Sequence, residues 1–133
     1  MKLVVDSSVF ISALGIKDIY SRSSRKFFAR ISKHQIGLPA LVVAEILVAM
    51  KKQKGKNLAD IYENLTSFEI IILDREFLDR FTALIPDSLN LKTSDLIIAM
   101  ATKLYKATLI TWDKKLLSFA ASICPVIKPG EFV

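Results

Sequence analysis

Lys2-Leu3-Val4-Val5-Asp6 is the stretch on which the fold turns. Its apolar residues follow one another without the polar alternation of a half-exposed strand, so the segment reads as a strand covered on both faces. Strands of that kind belong to parallel sheets flanked by helices. Asp6 ends the run, at the edge of the apolar layer. A carboxylate in such a setting needs a cation, a hydrogen-bond network or a raised pKa.

Working outward, residues 35–38 form a weak second strand, and residues 69–73, rich in isoleucine, the clearest third. Residues 108–112 supply a fourth and residues 126–127 a short fifth. Helical spacing fills the intervals. Over residues 20–33, Phe27, Phe28 and Ile31 turn inward while Arg22, Arg25, Lys26, Arg30 and Lys33 turn mostly outward. Pro39, with no amide hydrogen to lose, suits the first helical position before residues 40–52. Asn57 caps a helix through Ser67, and residues 75–84 place Phe77, Leu78, Phe81 and Leu84 on one face. Thr93 or Ser94 caps a helix to about Tyr105, residues 114–121 make the last, and Lys128-Pro129-Gly130 turns into the C-terminus. Strands alternating with helices predict an α/β protein with a parallel sheet of four or five strands. Ligands in such folds bind beyond the carboxyl ends of the strands, where strand order reverses.

At 133 residues the chain is expected to form a single domain, 1–133. A hydrophobic content of 52% with only 4 Gly and 4 Pro excludes disordered and collagen-like classes. Lone Cys124, beside Ile123, Pro125 and Val126, reads as a small buried hydrophobe in a reducing compartment. The N-terminal apolar run is too short for a signal-peptide core, and residues 38–50 carry Glu45 and fall short of the ~20 residues that span a bilayer. A soluble cytoplasmic protein without membrane contact is the expectation. The formal net charge of +6 suits a polyanionic partner such as nucleic acid, or simple solubility.

Within this basic chain, Asp6, Glu45, Asp95 and Asp113 all adjoin or interrupt apolar runs. Asp6, Asp113 and also Asp74 have an alternative reading as helix N-caps, and Asp95 falls in a first helical turn, where negative charge is ordinarily favourable. Glu45 is different. One turn away stand Leu41, Val42, Val48 and Ala49, so it has no local cation, and its helix is apolar almost all round. If the four converge, they repel one another unless a cation neutralises them. Hard oxygen donors without a Cys or His cluster suit Mg²⁺ or Mn²⁺, which can activate water and offset charge developing on a phosphodiester. Competing sites are weak, since His34 lies in a polar stretch and no phosphate-binding glycine pattern occurs. Trp112 either packs beside its strand or stacks on a base.

The segments Val4-Val5-Asp6-Ser7-Ser8-Val9-Phe10, Leu38-Pro39-Ala40 through Ala44-Glu45-Ile46, Ser94-Asp95-Leu96-Ile97-Ile98-Ala99 and Leu109-Ile110-Thr111-Trp112-Asp113 occur in the order found in PIN-domain ribonucleases. The chain resembles that family over essentially its whole length, and especially the small VapC-like toxins. The terminal Pro129-Gly130-Glu131-Phe132 is similar as well. The resemblance implies a three-layer α/β/α domain with strand order 3-2-1-4-5, and a Mg²⁺/Mn²⁺ site formed by Asp6, Glu45, Asp95 and Asp113. Ser8 and Thr111 match its supporting hydroxyl positions. Asp74 matches no family acid and falls two strands from Asp6. Trp112 departs from the pattern, because relatives more often carry a polar or basic residue there.

The expected function is therefore metal-dependent hydrolysis of single-stranded or looped RNA, and the resemblance implies 3′-hydroxyl and 5′-phosphate ends. Arg22, Arg25, Lys26, Lys51, Lys52 and Lys54 are candidate phosphate contacts, each with a solvated basic surface as its alternative. A homodimer and silencing by a small antitoxin are further implications of the resemblance. Two other classes stand beside this reading: a phospho-acceptor signalling domain, in which Asp74 would take the phosphoryl group, and a non-catalytic RNA-binding scaffold.

Overall fold

The computed structural model describes residues 1–132. Five parallel strands, β1 (Leu3–Val5), β2 (Ile36–Pro39), β3 (Glu69–Ile71), β4 (Thr108–Ile110) and β5 (Val126–Ile127), form one sheet in the order β3-β2-β1-β4-β5. The order expected from the family resemblance is the order found. All three residues of β1 are fully buried although successive side chains point to opposite faces, so both faces are covered. Burying aliphatic side chains such as Leu3, Val5, Leu109 and Ile110 contributes about 1.5–3 kcal/mol each.

Seven α-helices connect the strands: α1 (Ser7–Leu14), α2 (Ser21–Arg30), α3 (Ala40–Lys51), α4 (Leu58–Leu65), α5 (Arg75–Leu84), α6 (Thr93–Leu104) and α7 (Lys114–Phe119). Helix α1 packs on α2 and α3, α3 packs on α4, and α5 packs on α6 around Phe77, Leu96 and Met100. Short 3₁₀ turns lie at Lys33–Gln35, Ala120–Ser122 and Pro129–Glu131.

The differences from expectation have physical causes. Helix α1 carries no strong sequence signal, because its serines Ser7, Ser8 and Ser12 blur the apolar stripe. Their hydroxyls bond to groups in the site and the core instead. Pro39 ends β2 and serves as N-cap rather than first helical residue of α3, and Thr93 begins α6 rather than capping it. Leu78 and Leu84 are 53% and 40% exposed, so only Phe77 and Phe81 turn inward on α5. Gly37 in β2 faces the ring of Tyr105, which a Cβ there would approach to 2.7 Å. Cys124 is buried, and burial pushes its thiol up to about 11, consistent with an inert hydrophobe. Among the described residues, no helix is long and apolar enough to cross a membrane.

Strand β1 has β2 on one side and β4 on the other, so the strand order reverses beside it. The crevice at that reversal opens beyond the carboxyl ends of β1 and β4, where the chain places Asp6 and Thr111 to Asp113.

Candidate functional site

Asp6 follows β1 directly, and its amide continues the ladder by donating to the Ile110 carbonyl at 2.9 Å. It occupies the N-cap position of α1 yet makes no capping bond with its side chain. Its carboxylate, 4% exposed, instead accepts the hydroxyls of Ser8 and Thr111, each at 2.8 Å and both on Oδ2. Those hydroxyls are themselves aimed. Ser8 Oγ accepts the Trp112 amide at 3.1 Å, Thr111 Oγ1 accepts the Asp113 amide at 2.9 Å, and the two oxygens lie 3.3 Å apart. Ser8 and Thr111 thus both bond directly to Asp6.

Among the described residues, two of the other acids share a pattern. Asp113 accepts the Lys115 and Leu116 amides on Oδ1 at 2.8 and 3.0 Å, which makes it a cap while leaving Oδ2 without a hydrogen bond. Glu45 accepts the Ser7 hydroxyl on Oε1 at 3.3 Å, and Oε2 remains free. Asp95, 6% exposed in the first turn of α6, accepts no hydrogen bond from the described residues. None of the four is in an ion pair; Arg80–Glu76 is the sole salt bridge among the described residues. Asp6, Glu45 and Asp113 each have one oxygen anchored by the protein and one left open.

Electrostatics ties the four together. Burial raises the pKa of Glu45 foremost, and the charges of Asp6 and Asp95 raise it further, against the Ser7 hydrogen bond and Lys92. Burial likewise raises that of Asp95, with Asp113 and Asp6 adding to it and Lys92 and Lys115 opposing. Asp95 therefore feels carboxylates from the ends of both central strands. Lys92 and Lys115, absent from the sequence expectations, are the cations nearest in effect. Their only sequence signal is placement just before α6 and in the first turn of α7, beside Asp95 and Asp113.

Among the described residues, no three Asp, Glu, His or Cys side chains stand close enough to hold one ion together. The donor set still fits a hard cation. Mg²⁺ keeps several waters and takes only one or two protein carboxylates, so an oxygen left open on each of Asp6, Glu45 and Asp113 is the right chemistry for it.

The six basic candidates are all exposed and do not line a common hollow. Lys52 lines a hollow of about 440 Å³ together with Ser7, Ile11, Ala44, Glu45, Val48 and Ala49, and so lies beside an acid. Arg25 instead borders an apolar hollow of similar size between α1, α2 and α4. Arg22, Lys26, Lys51 and Lys54 line neither hollow. Helix α3 is less enclosed than its composition implies, since Ala44 is exposed and Val48 is 58% exposed. Glu45 is accordingly half-buried. Asp74 is exposed, caps α5 by accepting the Phe77 amide at 2.9 Å, and follows edge strand β3, apart from the four acids. Trp112 is half-buried and packs against the core.

Fold and site define an α/β protein whose acids gather where a parallel sheet reverses its strand order. The PIN domain family model matches residues 3–121, and the chain belongs to that family. No curated protein sequence matches it significantly. Among solved structures, it is similar to a toxin–antitoxin complex from Klebsiella pneumoniae, with 21% identity over 98% of this chain and 100% of that one and a TM-score of 0.74. It is also similar to FitAcB from Neisseria gonorrhoeae, with 19% identity over 98% and 99% and a TM-score of 0.71. Mycobacterium tuberculosis VapC20, a sarcin-ricin loop cleaving toxin, aligns over 88% of this chain and 94% of its own at 10% identity, with a TM-score of 0.70. At these identities the likeness is one of fold.

Proposed function

We propose that this chain is a Mg²⁺- or Mn²⁺-dependent endoribonuclease, a VapC-like toxin that hydrolyses phosphodiester bonds in single-stranded or looped RNA. The observation that carries the proposal is the open oxygen on each of Asp6, Glu45 and Asp113, next to an Asp95 with no hydrogen bond, in a cleft without ion pairs among the described residues. Of Asp6, Glu45 and Asp95, one or two would hold the ion directly and the rest would orient it through water, with Asp113 supporting it directly or through water. When bound, the ion lowers the pKa of water and offsets charge developing at phosphorus.

The chain's own residues prepare the cleft. Ser8 and Thr111 lock one oxygen of Asp6, which fixes where the other points. The Ser7 hydroxyl does the same for Glu45, and Asp113 is held by two helix amides. Lys92 and Lys115 moderate the repulsion, and Lys52, beside Glu45, is the best placed of the basic candidates to meet a phosphate. Arg22, Arg25, Lys26, Lys51 and Lys54 are assigned to flanking RNA only.

The structural neighbours include toxin–antitoxin complexes, which supports a small antitoxin as the partner. A homodimer in the cytoplasm is the assembly that goes with this reading. A labelled single-stranded RNA should be cut by the purified protein with Mg²⁺ or Mn²⁺, and chelation should abolish the cutting. Cleavage indifferent to both chelation and Asp6→Asn would refute the mechanism.

A further inference from the structure

An aromatic pair stands at the rim of the acidic cleft. Tyr20 and Trp112 stack with centroids 4.4 Å apart and ring planes 20° from parallel. Trp112 stands between Thr111, which holds Asp6, and Asp113, and its amide donates to Ser8. Its indole NH donates to Ser24 Oγ at 2.8 Å, and Ser24, fully buried, is hydrogen-bonded to Ser12 of α1. The residue is therefore pinned at its backbone and at its ring, and it packs against the core.

Tyr20 is a second tier. It is half-buried, does not join the core cluster, and its hydroxyl makes no hydrogen bond among the described residues. Its position is nevertheless fixed. The Tyr20 amide donates to Asp18 Oδ1 at 2.8 Å, and Ser21 closes the same turn by accepting the Asp18 amide at 2.8 Å and donating to its carboxylate at 3.2 Å. An aromatic ring outside the core, stacked on an indole that is hydrogen-bonded to Ser24 and one residue from two site residues, has the geometry of a stacking platform. Packing alone would be met by any aliphatic cover over Trp112.

We propose that the Tyr20–Trp112 stack seats a nucleobase: an unpaired base of the RNA adds as a third ring on Tyr20 and holds its neighbouring phosphodiester at the acids. This rests on the ribonuclease reading and makes Tyr20 a positioning residue for its substrate. Because every base has a π-face, the platform selects unstacked RNA over duplex and is tolerant of sequence.

Trp112 is the only tryptophan, so its emission reports on the platform alone. In an Asp6→Asn background with chelator present, a short single-stranded oligoribonucleotide should quench Trp112. Tyr20→Leu should weaken binding by about tenfold and remove the quench, while Tyr20→Phe should stay within about twofold of the parent. An abasic ribose-phosphate chain, which offers no ring to stack, should bind the parent and the Tyr20→Leu variant equally. In the cleaving enzyme, Tyr20→Leu should raise KM by about tenfold and leave kcat within about twofold. RNA bound and cleaved with the same affinity after Tyr20→Leu, and with no change in Trp112 emission, overturns the platform alone. Absence of both RNA binding and metal-dependent cleavage in the parent overturns the ribonuclease reading and the platform with it.

Discussion

Asp6 and Asp74 hold the same station in the chain, each at the N-cap of a helix that follows a strand, and the protein uses them oppositely. Asp74, exposed beyond edge strand β3, commits its carboxylate to the Phe77 amide and closes α5. Asp6, nearly buried beyond central strand β1, caps nothing and is held by two hydroxyls. With about 4.8 Å between strands, the two stations are roughly 10 Å apart. Position within the sheet, more than position within the chain, decides what an aspartate does. At an edge, water screens the charge and a cap is its best use. At the centre, the same charge is tolerated only when neighbouring groups organise it.

The sharpest way to break this comparison is to neutralise both acids in turn. Asp6→Asn should lower metal-dependent RNA cleavage by at least about a hundredfold, whereas Asp74→Asn should leave it within about twofold. A comparable loss from both, measured as kcat/KM on one oligonucleotide, would erase the distinction. Next, Thr111→Val keeps shape but removes a hydroxyl that both donates to Asp6 and accepts from Asp113. It should reduce cleavage by about tenfold and destabilise the fold by about 1–3 kcal/mol in urea titration. Asp74→Ala should then cost about 1 kcal/mol of stability through the lost cap, with cleavage intact.

The smallest effect is the most diagnostic of repulsion. Folding raises the pKa of Asp95 above the ordinary 3.8, so its folded form binds the proton more tightly than the unfolded chain does. Ionised Asp95 therefore opposes folding: the penalty is absent below the unfolded pKa and grows as pH rises toward the folded one. In chelator, Asp95→Asn should raise Tm at pH 7 and lose the advantage as the pH falls below about 4. A Tm lowered at pH 7 would show that Asp95 is a net structural anchor.

The sheet and the acids are legible in the sequence because apolar runs without alternation have few other readings, and a charge ending such a run stands out. The limits of α5 match for a similar reason, since Asp74 announces its start. Helix α1 is illegible because Ser7, Ser8 and Ser12 look like loop residues until their distant partners Glu45, Thr111 and Ser24 are known. The same holds for Lys115, whose relation to Asp95 exists only in the folded chain, whereas Lys92 stands at the N-cap of the same helix as Asp95. Glu45 stands out in the sequence, but for too strong a reason. Its helix leaves Ala44 and Val48 in solvent, so the residue sits at a cleft wall rather than in a sealed interior.

The bond from Thr111 to Asp6 joins residues 105 apart in sequence. Strand β1 cannot be flanked on both sides until β4 has been made, and a chain leaving the ribosome must carry β1 half-paired until then. Asp6 and Asp113 therefore meet only after β4 has been made. A product interrupted before β4 lacks both Thr111 and Asp113, so the order of synthesis itself keeps the site incomplete until that strand has emerged.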